Sequence, residues 1–190
     1  MLLSVHEAAV WWEFQQGKTT SEIASEYETD VVAPQYVYEL FKQSDRESER
    51  EGIENVSLKD TQYVSRVLNR ARSKITKELR AQAKSHRLDV ETVQDYKGLL
   101  RGFDYQANTE VFIVYTMKLG VVVWYKHESY AGKLCPECPK EEECRQTLDT
   151  IMQEYNITLR PDEEDLHMTQ QSIAIFSKLA AKEVPRYKRG

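Results

Sequence analysis

The sequence predicts an α+β chain that is mainly helical. An N-terminal helix-turn-helix should be followed by a small antiparallel β-hairpin or sheet, then by C-terminal helices with a cysteine cluster. Three observations predict this. Seven glycines and five prolines in 190 residues are too few for a chain built on tight turns. A hydroxyl residue followed three positions later by an acid recurs ahead of apolar residues at helical spacing. One stretch, 110–126, is instead rich in β-branched and aromatic residues. Hydrophobic residues make up 41% of the chain, with eleven tyrosines and three tryptophans, which is enough for a real core in one medium or two small domains.

The first element is announced by Ser4 and Glu7, a capping box that satisfies two orphan amides at a helix start. Val5, Ala8, Ala9 and Trp12 then recur at helical spacing, and Gly17 supplies the stop. Thr19 and Glu22 repeat the device, and Ile23, Ala24 and Tyr27 give a short second helix its apolar face. The two helices form a corner at residues 15–18.

At this point a resemblance enters. Gln16-Gly17-Lys18-Thr19-Thr20-Ser21-Glu22-Ile23-Ala24 resembles the stretch that opens the helix-turn-helix of LuxR-type and sigma-factor region four regulators. In those families a recognition helix follows after a short turn. Its pattern is matched here by Val64-Ser65-Arg66-Val67-Leu68-Asn69-Arg70-Ala71-Arg72-Ser73-Lys74-Ile75. The resemblance covers residues 4–27 and 57–80 and implies a DNA-binding transcriptional regulator. The segment between departs from the pattern. Residues 34–41 echo residues 61–68 at a spacing of 27, so either copy can follow the turn. The first is nearer in sequence; the second has the cations that a phosphate-lined groove requires. The second is favoured, with 28–57 as an inserted acidic arm.

Charge separates the same two segments. The chain carries a net −5, but residues 59–87 hold nine Lys or Arg against two acids, whereas residues 28–57 hold eight acids against three bases. Such segregation suits one face built for a polyanion. Ser57 and Asp60 suggest a third capping box, so the basic helix should start near 58. Val64, Val67, Leu68, Ala71, Ile75 and Leu79 form one apolar stripe, and a polar, mostly cationic stripe lies opposite. Gln62, Arg66, Asn69 and Arg70 are the candidates for base edges, because Arg matches guanine and Gln or Asn matches adenine. Arg72, Lys74 and Lys77 are the candidates for phosphates. The plainer account of this helix is an amphipathic surface or coiled-coil helix.

Further along, 110–116 and 121–126 read as two strands joined at Met117-Lys118-Leu119-Gly120, with 87–93 and 99–103 as shorter additions. Cys135, Cys138 and Cys144 follow, with His127 just upstream. Three thiols with a C-x2-C step and one imidazole suggest a closed zinc site; an iron–sulfur cluster with a ligand from elsewhere is the alternative, and three reduced thiols without metal the plain one. Glu141–Tyr155 reads as a helix, and Asp162–Asp165 as acid at the start of the last helix. Leu166, Ile173, Phe176, Leu179 and Ala180 give that helix an apolar stripe that either binds a second copy or completes the core. The tail 185–190 is basic.

No apolar run is long enough to span a bilayer, and residues 1–7 do not read as a signal peptide. No Gly-rich phosphate loop or nucleophile elbow occurs, and His6, His86, His127 and His167 are scattered, so nothing points to an enzyme. The expectation is a cytoplasmic, sequence-specific regulator binding double-stranded DNA as a homodimer, with DNA binding in 1–86 and dimerisation or sensing in 87–184. The alternative is an interaction module of the transcription machinery without specific DNA binding.

Overall fold

Local signals at the N-terminus act as the sequence predicts. In the computed structural model, residues 1–44, 46–128 and 132–185 are described. Ser4 caps α1 (Val5–Gln15) with the full reciprocal pair to Glu7, and Thr19 caps α2 (Thr20–Glu26) with Glu22 in the same way. Gly17 lies between them at φ +98°, the left-handed conformation that turns the chain out of α1.

The arm that follows contains α3 (Gln35–Lys42) and α4 (Glu47–Gly52). Helix α5 (Thr61–Ser85) comes next. The predicted start of this helix is corrected by three residues. Leu58 is fully buried, and Asp60 rather than Ser57 receives the Tyr63 amide, at 2.7 Å. Val64, Val67, Leu68, Ala71, Ile75 and Leu79 are all buried, so the apolar stripe is as expected.

The chain divides into two compact units within α5, one made of Met1–Ile75, with which the chain from Glu183 groups, and one made of Thr76–Lys182. The end of α5 is tied to the sheet of the second unit, where Tyr125 Oη lies 3.3 Å from His86 Nδ1. In the first unit α1 is buried on nearly every side, since Val5, Glu7, Ala8, Ala9, Val10, Trp11, Glu13, Phe14 and Gln15 are all covered. A helix without a polar face needs cover all round. Part of that cover comes from the arm: Tyr36 stacks on Trp12 at 4.5 Å, and Gly52 lies so near Val5 that a Cβ would meet its methyl at 3.5 Å.

The second unit is built on a four-stranded antiparallel meander, β1 (Asp89–Gln94), β2 (Leu99–Asp104), β3 (Thr109–Thr116) and β4 (Gly120–Tyr125), in the order β1-β2-β3-β4. β1 is irregular between Val90 and Thr92. There Gly102 is required, because a Cβ would lie 2.8 Å from the Asp89 carbonyl. Helices α6 (Glu141–Glu154), α7 (Pro161–Glu164) and α8 (Met168–Ala181) complete the unit. Phe176 of α8 stacks face to face on Phe112 of β3 at 4.5 Å, and Tyr155 donates to the Tyr115 carbonyl at 2.5 Å.

Two expectations about the C-terminal helices are corrected. Asp162–Asp165 does not open the last helix: most of it forms the one-turn α7, where Glu163 accepts from the Arg160 amide and pairs with Lys178. The last helix starts six residues later than expected, so Leu166 lies outside it, while Phe176 and Leu179 are spent in the unit's own core. Among the described residues no helix is long and apolar enough to cross a membrane. The tail beyond Pro185 lies outside the described residues.

Candidate functional site

The arm is closed at its base. Val31 and Val56 exchange both backbone hydrogen bonds, at 3.0 and 2.7 Å, and Ala33 donates to the Ile53 carbonyl at 2.8 Å. The Leu58 amide then donates to the Tyr27 carbonyl at 2.9 Å. Tyr27 is the C-cap of α2, so the chain leaves that helix and returns to the same place. With the arm set aside, α2 and α5 are joined by only Tyr27, Leu58, Lys59 and Asp60. Helix-turn-helix corners use turns of about three to four residues.

A polar network holds the α1–α2 corner. Tyr27 donates to the buried Glu13 at 2.7 Å, and Lys18 pairs with the other oxygen of Glu13 at 2.8 Å and with Glu26. Burial first, then the hydrogen bond and charge of Glu13, push the Tyr27 phenol far above its ordinary value, so it is always a donor here.

Helix α5 is tied to α1 by Glu7, only 4% exposed. Lys74 Nζ lies 2.7 Å from one Glu7 oxygen and Arg70 Nε 4.0 Å from the other, while the Ser4 amide donates at 2.9 Å. Burial pushes the Glu7 carboxyl up, but the Lys74 hydrogen bond, the Ser4 amide and the Lys74 charge outweigh it, and the carboxyl stays below its ordinary value. His6 Nδ1 is 3.1 Å from Tyr63 Oη in the first turn of α5. Burial, and secondarily Arg70, hold that imidazole below its ordinary value.

The outer face of α5 sorts the sequence-derived candidates into two groups. Gln62, Arg66, Asn69 and Arg70 are exposed along one side of its first turns. Arg72 is half-buried and donates to Asn69 Oδ1 at 2.8 Å, and Lys74 is committed to Glu7. Two of the three expected phosphate contacts thus have partners within the protein. Lys77 is exposed but belongs to the second unit. No sequence signal marked Glu7 and His6 as holding this helix, because both read fully as parts of a local cap.

The cysteine turn lies in the second unit. Cys135, Cys138 and Cys144 are all free and half-buried. The Cys138 amide donates to the Cys135 carbonyl at 3.0 Å, and the Lys140 amide reaches Cys138 Sγ at 3.4 Å. The Cys144 thiol is pushed up by burial, then by the neighbouring Cys138, Glu143 and Cys135. His127 Nδ1 is 2.7 Å from the Tyr125 carbonyl. A carbonyl can only accept, so Nδ1 carries the hydrogen and Nε2 the lone pair in the neutral ring. Among the described residues no three or more His, Cys, Asp or Glu form a group that could hold a metal ion.

No protein-family model matches this chain, and no curated protein or solved structure matches it.

Proposed function

We propose that this protein is a sequence-specific DNA-binding transcriptional regulator that reads DNA with the first turns of α5. The observation that carries the reading is the return of the chain to Tyr27. It supports reading α2 and α5 as successive helices of one corner, with the acidic arm as an excursion between them. Gln62, Arg66, Asn69 and Arg70 then stand on the uncovered side of the second helix, where a major groove would receive them. Glu7 holds the helix from behind through Lys74, which suits a rigid reading head better than a phosphate contact. The acidic arm lies against α1, through Tyr36 on Trp12.

Fluorescence anisotropy on random duplex DNA across a salt series tests this. The expected affinity falls with salt on a slope equivalent to about four or more phosphate contacts. Arg66→Glu should weaken binding at least about tenfold, since a lost base contact alone is worth ~1–3 kcal/mol. Glu39→Lys on α3, exposed but on the arm, should not weaken it. No binding by the parent protein at low salt rejects the regulator and leaves the interaction module. Loss of binding from α3 rather than α5 moves the recognition helix to the arm. A homodimer on a two-fold operator belongs to the same reading, and light scattering on the free and DNA-bound protein tests it.

For the cysteine turn we propose a structural zinc ion that would have to draw Cys135, Cys138 and Cys144 together, with His127 as fourth ligand through Nε2, because these residues form no metal-holding group as they stand. Its support is that an amide already donates to Cys138 Sγ and a carbonyl already fixes the His127 tautomer, the kind of hydrogen bonding that orients ligands to a metal. One zinc per chain in purified protein, lost in Cys138→Ser, is the expected result. Metal-free protein of unchanged stability rejects the ion.

A further inference from the structure

The two edges of the four-stranded sheet differ in kind. β1 is irregular between Val90 and Thr92 and carries Asp89 and Glu91, so a strand laid along it meets a kinked backbone and acid. β4 has neither device: Gly120-Val121-Val122-Val123-Trp124-Tyr125 is uncharged, and its pairing with β3 runs without a shift. The Lys126 amide donates to the Glu110 carbonyl, so the even-numbered residues back to Gly120 turn their backbone groups to β3. Val121, Val123 and Tyr125 turn theirs outward. Among the described residues the Val121 and Val123 amides and carbonyls have no partner on that side. The Tyr125 carbonyl takes His127 Nδ1 at 2.7 Å and keeps a second lone pair.

We propose that this edge pairs with β4 of a second copy, antiparallel about a two-fold axis at Val123, joining two four-stranded sheets into one. The proposal deepens the homodimer of the regulator reading and rests on that reading for its use, while the pairing itself requires no DNA. The occupant follows from reading the strand against its own reverse. With Val123 on the axis, Val121 lies opposite Tyr125 of the second copy, Val122 opposite Trp124, and Val123 opposite Val123. Each is a β-branched or aromatic cross-strand pair, the kind that stabilises antiparallel sheets. The outward residues become the hydrogen-bonded ones, which gives about six backbone bonds between the chains. Charge selects the same register. Lys118 and Glu128 are exposed, have no ion-pair partner among the described residues, and stand five positions before and after Val123. Glu154 fixes the turn that carries Lys118 by accepting its amide at 3.0 Å. Pairing about Val123 therefore sets each Lys118 beside Glu128 of the other chain, twice by symmetry. β1 fails the same comparison, because its own reverse sets Asp89 against Glu91.

The test is sedimentation velocity on the full-length protein without DNA, from low to high micromolar concentration. The expected result is a concentration-dependent shift from 22.2 kDa to twice that mass. A single strand pair is a small interface, so the expected dissociation constant is micromolar. Lys118→Glu should weaken the dimer about tenfold by making both end contacts repulsive, and adding Glu128→Lys should restore it. Val123→Pro removes an amide that β3 does not use and should leave a folded monomer. In the parent protein, exchange of the Val121 amide should slow as the dimer fills. Should Val123→Pro fail to fold, the charge exchange still decides. A monomer at every concentration overturns the pairing and leaves the edge to a strand of another protein. A dimer indifferent to Lys118→Glu, with Val121 exchanging freely, is held elsewhere and overturns the β4 interface. Both outcomes are read without DNA, so they are separate from success or failure of the anisotropy experiment.

Discussion

In the first unit the buried carboxylate of Glu7 is held by an ammonium from a distant helix, whereas in the second the buried carboxylate of Glu154 is held by backbone. Glu154 is 2% exposed and accepts from the Met117 amide at 2.7 Å and the Lys118 amide at 3.0 Å, fixing the turn between β3 and β4. Glu7 has one amide, from Ser4, and otherwise depends on Lys74 and Arg70 of α5. The difference follows from architecture. A sheet turn exposes amides that a nearby helix can cap with one side chain. A helical unit keeps its amides inside its helices, so elements far apart in sequence are joined by side chains. The consequence for function is that the cationic face of α5 is partly consumed in holding α5, while the cations around Phe112 in the sheet unit are balanced by surface carboxylates.

Substitutions can break this comparison in order of severity. Phe176→Ala should be the most damaging, because it removes a fully buried ring from its stack on Phe112 and leaves a cavity. A loss of about 3–5 kcal/mol is expected. Hydrogen exchange read by mass spectrometry would place that loss in Thr76–Lys182, and a change below ~1 kcal/mol would show that the stack is not the core of that unit.

Glu154→Ala comes next, at about 2–3 kcal/mol, since it orphans two turn amides together. A urea midpoint equal to the parent's would refute the cap. Glu7→Gln should cost less, about 1–2 kcal/mol, because the amide can still accept from Ser4 while the attraction to Lys74 is lost. Here exchange should rise in α1 and the first half of α5. If it rises as much as for Glu154→Ala, the ionic tie is stronger than the contrast between the units allows.

The smallest effects are those of pH, and they run in opposite directions. The Glu7 carboxyl sits below its ordinary value in the folded protein. Its contribution is therefore complete above the ordinary carboxylate value and is lost as pH falls through the folded one. Lys182 donates to the Tyr155 carbonyl but is pushed down to about 8, first by burial and then by Lys97. The folded state gives up that proton more readily than the unfolded chain. Its effect is thus destabilising below about 8 and is relieved as pH rises toward the ordinary 10.5. Exchange rates across the two pH ranges should show the first unit loosening in acid and the second tightening in mild base. Loosening of the second unit over that alkaline range would contradict the assignment to Lys182.

Much of the fold was legible because its signals are local. The capping boxes at Ser4 and Thr19 need only residues three apart, and the α5 stripe repeats from Val64 to Leu79 with no gap. β3 and β4 were visible as β-branched and aromatic runs, and β1 and β2 only as shorter additions at 87–93 and 99–103. Ser57 misled for the same reason: it satisfies the local pattern, but Leu58 is drawn into the core and onto the Tyr27 carbonyl, so the helix waits for Asp60. The candidate site was only half legible. Exposure of Gln62, Arg66, Asn69 and Arg70 follows from periodicity, yet the same periodicity counts Lys74 as available when Glu7 has already claimed it.

The sequence by itself determined where the first two helices begin, which face of α5 is apolar, and that one segment is a sheet, because each depends on the spacing of neighbours along the chain. Tertiary structure alone decided the rest. Closure of the arm on Val31 and Val56, the meeting of Tyr27 with Leu58 and the tie from Glu7 to Lys74 all join residues far apart in sequence. Their partners are chosen by packing once the chain has collapsed, and no residue spacing encodes that choice.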